Sequence, residues 1–263
     1  MPALQMVAIR QLVGGFAYVL FFAWKGKSFP RGKEWRPIFV LSILNFMLSN
    51  ALTTWGIKYI SAGLGAIIAA IFPLWLVLIE RIASGIKIPR IAITGLLLGF
   101  VGICVIFYEH LYDFADPNFR FGILISMIAT WSWAFGTIYT KKQATRFNPY
   151  FNIGLQMVIS GVTLHVISYG SGMTIPFSEI PTASWLAIGY LTVFGSVIAY
   201  TAYLYALQHL PTSLVSVYAY INPIVAVLIG GLLFDEKLSL FIIVGGAITL
   251  TGVYLVNETY RKL

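Results

Sequence analysis

The sequence predicts an all-α polytopic membrane protein, and its composition, its apolar segments and its basic residues each lead to this fold class. Hydrophobic residues make up 59% of the 263 residues, and charged residues only 10%. A soluble globular domain carries about a quarter charged residues. So few charges cannot cover a surface in water, whereas a surface that faces lipid needs none.

Apolar segments long enough to cross a bilayer follow one another along the whole chain. About 20 apolar residues span the hydrocarbon core as a helix. One such segment, residues 3–24, is interrupted by a single charge, Arg10, and eight others contain no Asp, Glu, Lys or Arg. The eight are residues 37–57, 61–79, 91–108, 121–140, 150–170, 184–206, 213–234 and 238–257. We therefore predict nine transmembrane helices.

The basic residues fall mainly on one side of these predicted helices. With the N-terminus outside, thirteen of the 17 Lys and Arg residues lie on the inner side and four on the outer side. Because positive charge accumulates in cytoplasmic loops, we predict a multi-pass protein with a cytoplasmic C-terminus, and a bacterial inner membrane as its location. Membrane topology also explains the net charge of +8, so the lipid bilayer is an expected partner and nucleic acid is not.

The two halves of the chain align with each other at an offset of 150 residues. Residues 51–106 align with 201–256 without a gap, and the matched positions include Pro73 with Pro223 as well as several glycines. Matched prolines and glycines without a gap favour an internal duplication over a chance similarity of apolar segments.

The predicted repeats are residues 1–109 and 120–263. A full repeat would hold five helices, and an odd number inverts the second copy in the membrane. Inverted repeats are typical of secondary transporters, which bind substrate near the midplane between the halves. The helix at 121–140 opens the second repeat and has no counterpart in the first, so we expect the first helix of the first repeat to be missing from this chain, with a genuine nine-helix protein as the alternative.

A set of residues in characteristic order carries a resemblance that covers the whole chain. They are Pro2 and Arg10, Asn50-Ala51 through Trp55, Ala69 to Pro73, Trp133, Tyr218 to Pro223, Asp235-Glu236, Gly245-Gly246 and Gly252. This pattern resembles the drug/metabolite transporter superfamily, specifically its EamA-like branch. The resemblance implies ten helices in two five-helix repeats and transport of amino acids or other small metabolites without ATP, with export as the expected direction. The absent first helix, which helps to line the central cavity in the family, is the departure.

Polar side chains at helical spacing are candidates for a substrate cavity. Polar groups are costly in lipid, so they should face the interior of the bundle. Residues three or four apart share one face of a helix. For each candidate the alternative is ordinary helix packing, in which polar groups satisfy one another between helices. The candidates are Asn45, Ser49, Trp133, Thr137, Tyr200, Tyr203, Tyr220 and Asn222.

Two prolines and two charged residues are further candidates. Pro73 and Pro223 lie inside predicted helices and would break or hinge them, with a static kink as the alternative. Arg10 is a candidate for substrate charge or ion coupling, but a side chain that snorkels outward is the favoured expectation. Glu80 is a candidate for proton coupling, and simple pairing with Arg81 is its alternative.

The function these features favour is a secondary transporter that moves a small neutral or zwitterionic solute, such as an amino acid, by alternating access. The alternatives are an intramembrane enzyme or a channel. No catalytic residues, metal or cofactor are expected, since the three histidines stand on separate segments. The lone Cys104 is expected to be buried and inert. Gly95 and Gly99 favour close packing within the chain, with a homodimer face as the alternative.

Overall fold

A computed structural model describes residues 1–84, 89–109, 113–143, 148–210 and 239–261, with the single positions 215, 218, 219, 222, 225 and 229. Throughout these residues the backbone forms helices and turns, without strands. The α-helices are α1 (Ala3–Trp24), α2 (Trp35–Leu41), α3 (Leu52–Gly56), α4 (Ala62–Ala70), α5 (Phe72–Ser84), α6 (Arg90–Glu109), α7 (Pro117–Gln143), α8 (Pro149–Gly170), α9 (Thr182–Tyr190), α10 (Ala199–His209) and α11 (Leu240–Arg261). Two π-helical segments, π1 (Ser42–Ala51) and π2 (Leu191–Ile198), join α2 to α3 and α9 to α10.

Helices of membrane-spanning length confirm the all-α polytopic fold. Three shorter apolar helices cover Leu64–Leu76, Arg90–Ile106 and Leu240–Val256. Predicted segment 213–234 lies largely outside the described residues, so the count of nine stays a prediction. Within the described residues, five helical stretches are long and apolar enough to cross a bilayer, namely Ala3–Trp24, Gly32–Gly56, Pro117–Gln143, Pro149–Gly170 and Thr182–His209.

Large apolar side chains project outward from these helices. Leu20, Phe100 and Leu186 are 66%, 65% and 71% exposed, and many similar residues accompany them. A water-soluble monomer rarely exposes so much apolar surface, whereas lipid accommodates it. Cys104 on α6 is also exposed, so the expectation that it is buried is wrong: it lies on an outward face of a helix whose glycines form the inward face.

The helix ends follow from local sequence, as α8 illustrates. The Oδ1 atom of Asn148 accepts hydrogen bonds from the backbone N–H groups of Tyr150 and Phe151. Pro149 occupies the first helical position, where its missing N–H has no helical partner to lose. After the helix ends, Gly172 has a φ of 68°, a conformation that favours glycine.

The described chain forms two compact units. Unit 1 comprises residues 1–54 and 139–209, and unit 2 comprises residues 55–138 and 210–263. Each unit therefore combines segments from both halves of the sequence. The predicted division into repeats at 1–109 and 120–263 concerns sequence duplication and stays a prediction.

Unit 1 is built around the antiparallel pair of α1 and α8, which glycines bring into close contact. A Cβ atom added to Gly15 would lie 2.9 Å from the carbonyl oxygen of Gly154, and one added to Gly161 would lie 3.0 Å from the backbone nitrogen of Leu12. Tyr18 approaches Gly154 in the same way. Because rising numbers on α1 meet falling numbers on α8, the two helices run in opposite directions.

Unit 2 is built around a second antiparallel pair, α6 and α11. A Cβ atom added to Gly95 would lie 2.5 Å from the Gly252 carbonyl oxygen, and one added to Gly245 would lie 2.6 Å from the Gly102 carbonyl oxygen. Gly99, which with Gly95 forms the GxxxG motif expected to pack closely, faces Leu74. Both glycines of that motif are thus packed within the unit, as favoured from the sequence.

The apolar segment at 61–79 forms two helices instead of one. Helix α4 ends at Ala70 and α5 begins at Phe72, with Ile71 in a turn between them. The backbone nitrogens of Leu74 and Trp75 both bond to the carbonyl oxygen of Ile71. Pro73 stands in the first turn of α5, where a proline is tolerated because its missing N–H would lack a helical partner.

Candidate functional site

The predicted cavity residues fall in both units, and each unit is described separately. In unit 1, Asn45 and Ser49 are buried on π1, while Tyr200 and Tyr203 are half-buried on α10. In unit 2, Thr137 is buried and Trp133 half-buried on α7, and Asn222 is exposed. Tyr220 and Pro223 lie outside the described residues, as does the side chain of Glu80.

Three polar residues of unit 1 form a hydrogen-bonded group that we call the central polar cluster: Arg10, Asn50 and Tyr200. Nη2 of Arg10 donates to Oδ1 of Asn50. The other end of the same amide, Nδ2, donates to the hydroxyl oxygen of Tyr200 at 3.3 Å. The two bonds use both ends of the Asn50 amide, which fixes its orientation between the cation and the phenol.

Arg10 does not reach outward as favoured from the sequence, since its Nη2 bonds to Asn50 and its Nε is shielded from solvent without a hydrogen-bond partner. The acidic residues of unit 1 are Glu34 and Glu179, both exposed in connections outside the spanning segments. An intramembrane cation without an acidic partner is costly, and such residues are usually functional.

Asn50 is the member of the cluster that was not a candidate site residue in the sequence analysis. It follows Ser49 and therefore falls off the face defined by Asn45 and Ser49 at helical spacing. The π-helical backbone changes which side chains share a face, because it holds more residues per turn than an α-helix. One signal pointed to Asn50: it is separated from Tyr200 by 150 residues, the offset of the predicted repeat.

Aromatic and amide side chains hold the cluster in place. The rings of Phe46 and Tyr200 lie 5.2 Å apart between centroids. Nε2 of the buried Gln11 donates to the backbone carbonyl of Phe46 at 3.3 Å. Further along α1, the hydroxyl group of Tyr18 donates to the carbonyl oxygen of Val197 at 2.7 Å. Helix α1 is therefore bonded to π2 as well as to π1.

A cavity of about 430 Å³ lies next to this region within unit 1. Its lining is largely aromatic and contains Tyr18 and Thr201, whose hydroxyl oxygens are 2.7 Å apart. Thr201 follows Tyr200 in the chain, which connects the cavity wall to the central polar cluster. Pockets of about 300–1,000 Å³ with apolar walls and a few polar groups are typical of small-molecule sites. The complete lining is Ala17, Tyr18, Phe21, Phe22, Tyr150, Val197 and Thr201.

A second cavity of unit 1, of about 700 Å³, has a charged lining. Lys33 and Arg36 belong to the connection that the positive-inside rule assigns to the inner side, and both line this cavity. Polar groups from α7 and α8, Gln143 and Asn152, line it from the other helices. This cavity is suited to polar solutes and water, in contrast to the aromatic cavity.

In unit 2, the candidate Trp133 is hydrogen-bonded to Tyr218, a residue that follows α10 in the chain. Its indole Nε1 donates to the hydroxyl oxygen of Tyr218 at 2.7 Å. Phe72 stacks at an angle against Tyr218 with ring centroids 6.2 Å apart, and Ala134 is fully buried in the same apolar cluster. This arrangement gives Trp133 packing contacts within unit 2, and its place in a substrate cavity stays a prediction.

The Y18F substitution should lower the free energy of unfolding, because it removes the hydroxyl group of Tyr18 and keeps its aromatic ring. The Y18F variant loses the bond to the Val197 carbonyl and the contact with the Thr201 hydroxyl, and we expect it to be about 1 kcal/mol less stable, the net contribution of a typical hydrogen bond. Thermal unfolding in detergent micelles measures the change. The matched control is Y169F, which removes a hydroxyl from a tyrosine that is 76% exposed and should leave stability unchanged. Equal effects in the two variants would contradict the assigned role of the Tyr18 hydroxyl.

Comparison with known proteins gives a consistent result over nearly the whole chain. The model of the EamA-like transporter family matches residues 1–108 and 120–258. The uncharacterized inner membrane transporter YedA of Escherichia coli (strain K12) is 29% identical over 240 residues, which cover 90% of this chain and 76% of YedA. The uncharacterized transporter YvbV of Bacillus subtilis (strain 168) is 28% identical, covering 97% of this chain and 83% of YvbV.

More distant similarities extend this comparison. The WAT1-related protein At3g02690, chloroplastic, of Arabidopsis thaliana is 27% identical over 96% of this chain and 62% of the plant protein. A solved crystal structure matches with a TM-score of 0.73 at 18% identity, covering 100% of this chain and 89% of the solved one. At this identity the solved structure supports the fold alone.

Proposed function

Because this chain belongs to the EamA-like transporter family, we propose that it is a secondary transporter that moves a small organic metabolite by alternating access. An amino acid or a similar neutral or zwitterionic solute is the proposed substrate, and export across a bacterial inner membrane the proposed direction. The excess of basic residues on one side of the helices supports a cytoplasmic C-terminus.

An inverted repeat is part of this proposal, and several features of the structure support it. Adding 150 to the bounds of π1 (Ser42–Ala51) gives 192–201, which overlaps most of π2 (Leu191–Ile198). Such π-helical segments are rare, so their recurrence is informative. The family model also matches in two stretches, 1–108 and 120–258.

The contact between α6 and α11 has the symmetry that an inverted repeat requires. Adding 150 to Gly95 and Gly102 gives Gly245 and Gly252. The proposed symmetry therefore converts the contact of Gly95 with Gly252 into a contact of Gly245 with Gly102. The structure contains both contacts. Equivalent helices that cross antiparallel in this way are related by a two-fold axis, which in inverted repeats lies in the membrane plane.

The observation that carries the proposal is the hydrogen bond between Asn50 and Tyr200, residues that the proposed repeat places at equivalent positions. Equivalent residues that touch each other must lie beside the two-fold axis relating them. An axis in the membrane plane runs near the bilayer centre, where inverted-repeat transporters bind their substrates. Arg10, bonded to Asn50, adds a charge at that depth.

Alternating access also needs a flexible element, and the interruption at Ile71 is our proposed hinge. The turn between α4 and α5 lies within a predicted spanning segment, and Pro73 follows it. Broken helices of this kind are common in secondary transporters, where halves of a helix move separately. Pro223 stands at the equivalent position of the second repeat and is proposed for the same role.

Flux measurements in proteoliposomes test the proposed function. The full chain is reconstituted, and uptake and efflux of a panel of labelled amino acids and small metabolites are followed with and without a proton gradient. A secondary transporter shows saturable flux of an unmodified solute without ATP. Flux that rises linearly with concentration would favour a channel, and chemical conversion of the solute would favour an enzyme.

A pair of tyrosine variants on α10 links this flux to the central polar cluster. We expect Y200F to lower flux about five- to tenfold, since a lost hydrogen bond is equivalent to about 1 kcal/mol. The matched control is Y205F on the same helix, where the side chain is 59% exposed and flux should not change. Equal flux in Y200F and the native protein would remove the central polar cluster from the transport site.

A further inference from the structure

We propose that Arg10 binds the carboxylate of the transported solute, so that the substrates carry a single carboxylate group, as most amino acids do. This inference rests on the proposed transport function and specifies its substrate class. Nη2 of Arg10 donates to Asn50, and its Nε, shielded from solvent, has no partner. The guanidinium therefore carries more donors than the protein itself satisfies.

The charge of Arg10 points to an anion as the missing partner. Among the predicted spanning segments of unit 1, Arg10 is the single Lys or Arg, and no Asp or Glu accompanies it. A cation in this position is costly unless it is paired. A carboxylate neutralises the charge and accepts from two N–H groups of the guanidinium fork at once.

The number of charges distinguishes a carboxylate from a phosphate. One guanidinium balances one negative charge, and a monocarboxylate carries one. A phosphate monoester carries up to two at neutral pH, so one arginine would leave part of its charge uncompensated in the bilayer. The single cation therefore favours a carboxylate over a phosphorylated solute.

The cluster orients the cation. Arg10, Asn50 and Tyr200 are half-buried, and Nε of Arg10 is shielded from solvent. Asn50 is a positioning residue: its Oδ1 accepts from the guanidinium while Tyr200 accepts from its Nδ2. This support fixes the direction of the cation before a solute arrives, which lowers the entropy lost on binding. None of the three residues lines the aromatic cavity that contains Tyr18 and Thr201.

Ligand-induced thermal stabilisation of the purified full chain tests the site without requiring transport. The probes are acetate, benzoate and phenylalanine, each paired with its amide (acetamide, benzamide and phenylalaninamide), and inorganic phosphate. At about ten times Kd, a ligand should raise Tm by about 3–6 °C. We expect at least one carboxylate to give such a rise, and its amide and phosphate to give none.

Three variants assign the effect to Arg10. R10M removes the charge at similar length and should abolish the rise in Tm. R10K keeps the charge without the planar fork and should reduce the rise, which keeps the test valid should R10M fail to fold. R120M removes an arginine from the exposed start of α7 and should retain the full rise.

Several results would overturn the assignment. These are an equal rise with a carboxylate and its amide, an equal rise with phosphate, the same rise in R10M, or no rise with any carboxylate. The outcome is separable from that of the transport assay. Carboxylate binding without flux of any solute would contradict the transporter proposal and support the carboxylate site. Flux without discrimination between a carboxylate and its amide would support the transporter proposal and contradict the carboxylate site.

Discussion

Leucine at position 252 should prevent α6 and α11 from pairing, and we expect the G252L variant to yield little folded protein. A Cβ atom at this position would lie 2.4 Å from both the carbonyl oxygen of Gly95 and the backbone nitrogen of Gly99. These are backbone atoms of the facing helix, so no side-chain rotation relieves the overlap. The milder G252A variant should lose about 1–3 kcal/mol or more, the usual cost of overpacking.

Size-exclusion chromatography of the solubilised protein measures the fraction that is folded and monodisperse, and thermal unfolding measures the loss in G252A. Gly246 provides the control on the same helix, because nothing lies within 4 Å of a Cβ atom added there. G246L should therefore behave like the native chain. Normal yield and Tm in G252L would mean that α6 and α11 do not pack through their glycines.

Alanine at position 50 should destabilise unit 1 strongly, and methionine at position 10 should reverse part of that loss. N50A leaves the Arg10 guanidinium without its acceptor, and hydrogen bonds to charged groups contribute about 1.5–3 kcal/mol. In the double variant R10M/N50A both polar partners are gone. Replacing both members of a buried polar pair by apolar groups is nearly neutral, so the double variant should be more stable than N50A.

A double-mutant cycle from thermal or denaturant unfolding of the four proteins gives the coupling between the two side chains. We expect a coupling of about 1–2 kcal/mol, within the range for residues in direct contact. Effects that add within about 0.5 kcal/mol would show that the two side chains do not interact. The cycle reports the Arg10–Asn50 contact alone and is independent of any solute.

The sequence contained most of what defines the membrane fold. Segment bounds predicted from apolar length agree closely with the structure: 3–24 became Ala3–Trp24, and 150–170 became Pro149–Gly170. These bounds were predictable because the hydrocarbon core fixes the length of a spanning helix and excludes charges from it. The family, too, was recognisable from the order of its prolines, glycines and aromatic residues.

The candidate site was only partly predictable, and Arg10 and Asn50 show why. Snorkelling was favoured for Arg10 because the sequence gives its distance from the outer end of the helix but not the side chains that surround it in the bundle. Asn50 was missed because α-helical periodicity defined the predicted polar face. Residues 42–51 form a π-helix, in which other residues share a face. Buried Cys104 was expected from an apolar context, which in a membrane protein describes the lipid face equally well.

The sequence by itself determined that this chain crosses a membrane repeatedly, and it predicts which side carries positive charge and that the two halves are related by an offset of 150 residues. These properties depend on transfer of side chains into lipid and on local order along the chain. The tertiary structure decided which helices pair, through backbone contacts such as that of Gly95 with Gly252. It also decided that Arg10 turns to Asn50 and Tyr200, because partners far apart in sequence are brought together by packing between helices.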